Sequence, residues 1–222
     1  MGVSKLYSEL LSAPKNEPVF LSERLESDFI LKAYPFGLFP WTSSPVAWWC
    51  PDPRCVLFPA QVHIQKNMKR SLELYQVRLD HDFMRLMRLC RSQRKVSWID
   101  GEFLRVYGEL FERGWAHSLE LYDGDELVGG IYGLIIGKVF FGESMVGLKK
   151  NASKVALIKL CELLRPHDFL IDCQVYNKHL EFMGAKNIAR KDFLELLGQK
   201  CSTESGFESF RGLCEDFKKA IF

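Results

Sequence analysis

Polar and apolar residues alternate from His117 to Tyr122, which predicts a strand, and Asp123-Gly124-Asp125 then turns the chain into a second strand over Leu127 to Ile136. Gly137-Lys138 is the next tight turn, leading into a strand over Val139 to Ser144. Helical spacing precedes these strands at Glu102 to Arg113, closed by Gly114, and follows them at Asn151 to Leu164. An apolar run of strand length then spans Phe169 to Asn177, interrupted by Asp172 and Gln174. Residues two apart in a strand share a face, so the carboxylate and the amide stand together while Ile171, Cys173 and Val175 face the other way. A short helix ending at Gly184 and a short strand–helix unit through Leu197 complete the pattern. Upstream, Leu25, Phe29, Ile30 and Ala33 recur at helical spacing beyond the breakers Pro14, Asn16 and Pro18. His63 to Leu74 reads as a helix with Lys66, Lys69 and Arg70 on one face. The segment 202–222 is expected to end in an amphipathic helix packed on the core.

Five prolines and three tryptophans fall between Tyr34 and Arg54, a density that excludes a regular helix or a central strand. Trp and Tyr lose little entropy on binding, so such a loop suits recognition. It equally suits a plug between two domains, and both uses are expected among Trp41, Trp48 and Trp49. The order of helix, three antiparallel strands, helix, strand, helix, strand matches the core of the N-acetyltransferase-like (acyl-CoA N-acyltransferase) superfamily. The expected fold is α+β, with a small N-terminal domain over 1–54 and a catalytic domain over 55–222.

Length and composition set bounds without choosing a function. A chain of 222 residues supports one core with a small appendage, and 47% hydrophobic with 26% charged residues is ordinary for a soluble globular protein. A formal charge of +2 confines any basic surface to a local patch. Seven cysteines without metal-like spacing predict reduced thiols. The start lacks a signal-peptide pattern and no apolar run reaches the length of a membrane span, so the expectation is a cytoplasmic protein.

Asp172 is the residue most in need of explanation, because a carboxylate inside an apolar strand costs free energy unless paired. It is either a strand-end cap or part of a reactive site. The stretch Glu143 to Lys154 lacks the glycine pair with which that superfamily cradles a pyrophosphate, which argues for an activated acyl donor other than acyl-CoA.

Nine blocks together resemble one family. They are Phe39 to Trp41, Trp48 to Arg54, His63-Ile64 with Met68 to Arg70, Trp98-Ile99, Ala116 to Ser118, Glu126 to Gly130, Gly142 to Met145, Asn151 to Lys154, and Ile171 to Val175 with Asn177. In this order and spacing they resemble the leucyl/phenylalanyl-tRNA–protein transferases, which attach an amino acid from aminoacyl-tRNA to a protein N-terminus. The likeness runs from about residue 33 to residue 197, and the family's glycine-rich segment before the first helix is absent.

The resemblance implies aminoacyl-tRNA carrying Leu or Phe as donor, with Met also usable, and proteins with N-terminal Arg or Lys as acceptors, marked thereby for an N-terminal degron pathway, with no cofactor, metal, membrane or DNA. It places Trp41 and Trp98 around the 3′ adenosine with Tyr34 and Tyr107 lining the same region, in keeping with single-stranded ends being read by stacking. Lys66, Lys69 and Arg70 fall where the family has a basic cluster tracking the acceptor stem, although Glu73 and Leu74 stand where that cluster continues. Ile131, Phe140, Leu157, Leu160 and Leu164 match the pocket for the transferred side chain, and Glu143 is the candidate to meet a basic acceptor. Asp172 and Gln174 are the candidate catalytic pair, Gln174 positioning the amine and Asp172 stabilising charge, with Ser144 and Asn177 in the same network. His117 reads as a hydrogen-bonded structural residue, and Cys173, facing away, is not a nucleophile. Competing readings are a CoA-dependent acyltransferase, a related branch acting on acidic N-termini, and a non-catalytic tRNA- or degron-binding module.

Overall fold

Prolines at 45 and 51 leave five residues able to donate backbone hydrogen bonds, and four of them, Val46–Trp49, form a strand. In the computed structural model, which describes residues 3–201, α1 (Val3–Leu11), β1 (Phe20–Ser22), α2 (Ser27–Ala33), β2 (Phe39–Pro40) and β3 (Val46–Trp49) build the N-terminal part. The three strands pair antiparallel in the order β1-β3-β2. The proline-rich block therefore does hold a central strand, contrary to expectation. Trp48 is fully buried there with Phe20 stacked on it at 5.9 Å, while Trp41 is 39% exposed.

The remaining elements are β4 (Arg54–Leu57), α3 (Lys69–Leu72), β5 (Gln76–Leu79), α4 (Phe83–Ser92), α5 (Gly101–Glu112), β6 (Ala116–Asp123), β7 (Glu126–Ile136), β8 (Val139–Gly147), α6 (Ala152–Leu164), β9 (Leu170–Gln174), α7 (Lys178–Phe182), β10 (Lys186–Ile188) and α8 (Arg190–Lys200). Seven strands make one mixed sheet, β10-β4-β9-β8-β7-β6-β5. The antiparallel trio β6-β7-β8 and the helices on either side of it are as the periodicity predicts. A boundary between residues 54 and 55 would cut β4, which sits inside the large sheet between β9 and β10.

Several elements depart from the sequence reading or escape it, α1, β1, β4 and β5 among those that escape. The helix expected over His63 to Leu74 is only a 3-10 turn, Lys66–Met68, followed by the single turn of α3. Gln65 is extended, and Met68 and Ser71 are the only buried residues of the segment, too little apolar surface to fix a longer helix. α4 was not foreseen, although Phe83, Leu86, Met87 and Cys90 bury one face at ideal helical spacing. The helix expected in 202–222 lies outside the described residues.

The sheet separates two apolar clusters. Tyr132 and Leu134 of β7 join α2, α4, α5 and α8 on one face, and Ile131 and Ile135 join α6 on the other. β8 and β9 are the one parallel pair among the described residues, and their ladder has three rungs, ending at Phe141 opposite Asp172. Beyond that rung β8 follows β7 and β9 follows β4, so the strands part and a cleft opens between them.

Both lips of the opening are bulged. The β7–β8 register shifts so that Tyr132 faces Ser144 and Gly133 faces Gly142, which leaves Glu143 as the extra residue. A side chain at Gly133 would place Cβ 2.2 Å from the Phe141 carbonyl oxygen, so only glycine lets β8 come this close. On the other lip Cys55 faces Gln174 and Val56 faces Asp172, which makes Cys173 the extra residue.

Candidate active site

The cleft between the parted strands encloses about 300 Å³. Phe39, Trp41 and Trp98 form an aromatic wall, Glu143, Asp172 and Gln174 the polar floor, and Ile131, Met145, Leu157, Ile171 and Leu180 an apolar recess. Sequence reasoning placed seven of these eleven in the site; Met145, Ile171, Leu180 and Phe39 carried no signal that separates lining from core.

Asp172 is fully buried and bonded on every side. Arg54 donates from Nε to Oδ1 at 2.8 Å and from Nη2 to Oδ2 at 2.6 Å, and the Gln174 backbone N–H donates to Oδ1 at 2.9 Å. Arg54 lies between the rings of Phe39 and Phe193, at 4.8 and 4.6 Å, and its third contact is to the Gly37 carbonyl. Burial in this ring sandwich would lower the Arg54 pKa, yet the facing carboxylate more than offsets it and leaves the net shift upward. The candidate charge stabiliser is thus a carboxylate already paired with Arg54. Arg54 was missed as a site residue, although a buried Asp in a strand demands a cation somewhere in the chain.

Gln174 has φ 59°, a left-handed conformation uncommon for a residue with a side chain, and the Asp172 carboxylate holds its backbone there. Its side-chain Nε2 reaches Glu143 Oε1 at 3.3 Å. Asp172 and Gln174 are thus adjacent as expected, but they communicate through the backbone of Gln174 and not through its amide. Cys173 borders the cleft, contrary to the expectation that it faces away, and packs against Cys55 in the α6-side cluster; the thiol hydrogen bond with Cys55 and burial push its own pKa up.

Glu143 carries the most responsive charge. Burial pushes its pKa up to about 7, against hydrogen bonds from Tyr34, Tyr107 and Gln174 that pull it down, while neighbouring Asp172 adds to the rise. Tyr34 donates to Oε1 at 2.7 Å, and the two tyrosine hydroxyls lie 2.7 Å apart. Both rings are fully buried behind Glu143, and burial raises both phenol pKa values. Tyr34 and Tyr107 therefore do not line the cleft, as was expected of them; they hold the carboxylate from behind.

Other expectations resolve by position. Ser144 is buried in the cleft wall and accepts from Arg94 Nη2 at 2.9 Å. Asn177 lines the mouth and caps α7 by accepting the Leu180 N–H at 2.8 Å. Phe140, Leu160 and Leu164 are corrected: they are buried in the α6-side cluster and leave the recess to Ile131 and Leu157. Apolar positions on a central helix satisfy core and pocket patterns alike. Lys66, Lys69 and Arg70 are exposed and lie outside the cleft, near the first turn of α6, where Asn151 Nδ2 donates to Ser71 Oγ at 3.1 Å. His117 bonds Asp80 and the Gly114 carbonyl at 2.8 and 3.0 Å, a structural role.

Comparison with known proteins is consistent along the chain. The family model for leucyl/phenylalanyl-tRNA protein transferase matches residues 56–198, and the model for the N-terminal domain of the same transferases matches residues 23–52. A leucyl/phenylalanyl-tRNA–protein transferase of Campylobacter jejuni is 68% identical over 96% of this chain and 99% of its own. One from Pseudomonas syringae is 44% identical over 79% and 80%. A solved conserved protein of unknown function from Bacteroides thetaiotaomicron shares 10% identity, with a TM-score of 0.42 over 68% of this chain and 57% of that one.

Proposed function

The chain belongs to the leucyl/phenylalanyl-tRNA protein transferase family, and from that premise we propose that the cleft between β8 and β9 is where leucine or phenylalanine passes from the 3′ end of a tRNA to the N-terminal amine of a protein. The amine attacks the ester carbonyl, a peptide bond forms, and the ester C–O bond breaks. The tRNA hydroxyl leaves with the proton that the amine gave up.

The observation that carries this reading is the contact between Gln174 Nε2 and Glu143 Oε1 at the mouth of the two bulges. With its nitrogen committed to Glu143, the Gln174 amide presents its oxygen to the incoming amine. An α-ammonium loses its proton near pH 7.7–8.0 and Glu143 titrates at about 7, so transfer between them is nearly balanced in energy. Asp172 and Arg54 fix the strained backbone of Gln174 and act by positioning. Trp41 and Trp98 flank the 3′ adenosine, and the recess around Ile131 and Leu157 takes the donor side chain. A recess of this kind separates aliphatic from aromatic side chains by only about 1–3 kcal/mol.

Of the two cleft carboxylates, Asp172 is paired with Arg54, whereas Glu143 has no ion-pair partner among the described residues. Arg94 also borders the cleft but donates to Ser144, so Glu143 is the carboxylate left to meet an acceptor that begins with Arg or Lys. The fold reading remains the acyl-CoA N-acyltransferase superfamily, supported by the parallel β8–β9 pair that opens after three rungs. CoA itself is a poor fit, since the stretch Glu143 to Lys154 lacks the glycine pair that would let a pyrophosphate approach the start of α6 closely. Unpaired thiols and a tRNA donor both suit a reducing cytoplasm.

The test is transfer of labelled leucine from Leu-tRNA to peptides beginning with Arg or with Asp, using the wild type and Gln174→Ala. Label on the Arg peptide alone, lost in the variant, is the expected result. Binding of tRNA without transfer to either peptide would leave a non-catalytic binding module.

A further inference from the structure

Arg88 and Arg91 lie one turn apart on α4, and Arg94 and Lys95 follow in the turn beyond its end. All four line or border one shallow depression of about 380 Å³, and none has an ion-pair partner among the described residues. Like charges three or four residues apart on a helix destabilise it, so an unpaired row of this length carries a cost in the free protein. The negative end of the α4 dipole accounts for a cation in the last turn, not for four. Asp100 borders the same depression, but its carboxylate is engaged by the Ser43 hydroxyl and by the Phe103 N–H.

Arg94 connects this row to the active site. It lines both the depression and the cleft, donates to Ser144 beside Glu143, and lies 6.0 Å from the Trp98 ring. Its Nη1 is buried with no hydrogen-bond partner, an unmet donor at the cleft wall. Guanidinium groups offer forked donors that match phosphate oxygens, and three of the four cations are arginines.

We propose that the row from Arg88 to Lys95 is a phosphate track that guides the 3′-terminal backbone of the donor tRNA into the cleft. The proposal rests on the transferase reading given above. It differs from the patch at Lys66, Lys69 and Arg70, because Met68 belongs to the α6-side cluster whereas α4 packs on the opposite face of the sheet. The RNA would then be gripped from both faces, with the cleft between. With four cations against three, the row from Arg88 to Lys95 carries much of the electrostatic hold.

Titrating uncharged tRNA against Arg88→Ser/Arg91→Ser, wild type and Lys69→Ser/Arg70→Ser between 50 and 200 mM salt tests this. Both arginines are exposed and outside the cleft, so transfer from leucyl-adenosine, a donor without phosphates, should be unchanged in the first variant. That variant should bind tRNA on the order of tenfold more weakly at low salt, and its log–log salt slope should flatten by about 1.4–1.8 for two lost phosphate contacts. Unchanged affinity and slope in a wild-type-like transferase would overturn the track. Equal loss with leucyl-adenosine would overturn it as well, by showing damage to the cleft and not to RNA contact. If the wild type binds tRNA with this arginine-dependent slope but transfers from neither donor, the track stands and the transferase reading fails.

Discussion

Arg54 and Asp172, 118 positions apart in sequence, meet in a two-pronged ion pair with neither side chain more than 1% exposed. The pair ties β4 to β9 at the rung where the cleft opens, and it also stations Gln174 through the backbone. Fold and site thus share one electrostatic joint.

Breaking that joint from one side should cost far more than removing it. Arg54→Met leaves a buried carboxylate unmatched and should destabilise by about 3–5 kcal/mol, read from the urea midpoint. Arg54→Met/Asp172→Leu should recover most of that loss, since a buried pair replaced by apolar groups is often neutral. Transfer activity should stay low in the double variant, because the Gln174 N–H then lacks its acceptor. Recovery of activity along with stability would remove Asp172 from the positioning role.

Glu143 makes a prediction about pH. Its pKa in the folded state, about 7, lies above the ordinary 4.5, so the folded chain holds a proton that the unfolded chain has released between those values. The associated stability is present below about pH 4.5 and is lost as pH rises through 7. Glu143→Gln should therefore match the wild type near pH 5 and exceed it by about 1–3 kcal/mol near pH 8.5, checked by denaturant titration at both values. If Glu143 accepts the amine's proton, the wild-type kcat should climb through pH 7 and that inflection should vanish in the variant. A change confined to KM for the Arg peptide would assign Glu143 to acceptor recognition alone.

Leu157 and Leu164 share α6 but not a role. Leu157→Ala should enlarge the recess and shift the Phe-to-Leu transfer ratio upward by up to tenfold, which competition between the two charged tRNAs would measure. Leu164→Ala, deep in the α6-side cluster, should cost about 2–5 kcal/mol of stability and leave the ratio unchanged. A ratio that moves with Leu164 and not with Leu157 would mean that the recess lies elsewhere.

Those two leucines also show where sequence reading stops. Helical spacing gives both the same inward face, and only the parting of β8 from β9 decides which one borders open space. Asp172 and Gln174 were legible because a two-residue spacing inside an apolar strand is a local signal. Arg54 was not, because its partner is fixed by strand order and not by spacing. Glu143 was recognised as an acidic residue of interest, yet its depth depends on a bulge, and bulges carry no periodicity. α4 was legible and went unread, its apolar stripe masked by the arginines that alternate with it.

Tyr34 offers the most direct control over Glu143. Its hydroxyl donates to the ionised carboxylate at 2.7 Å, and this bond favours the charged form against the effect of burial. Tyr34→Phe removes the donor and retains the ring, which packs edge-on against Phe141 at 5.1 Å, so the fold should be little disturbed. The Glu143 pKa should then rise above 7, and a smaller fraction would be ionised at neutral pH. Transfer at pH 7 should fall several-fold and recover toward the wild-type rate near pH 8.5, because the carboxylate is weakened as a base only by its occupancy. A donor that merely orders the site would lower the rate equally at every pH. The full kcat profile of Tyr34→Phe, measured with saturating donor and acceptor, separates the two, and an unshifted profile would show that Glu143 does not move the proton.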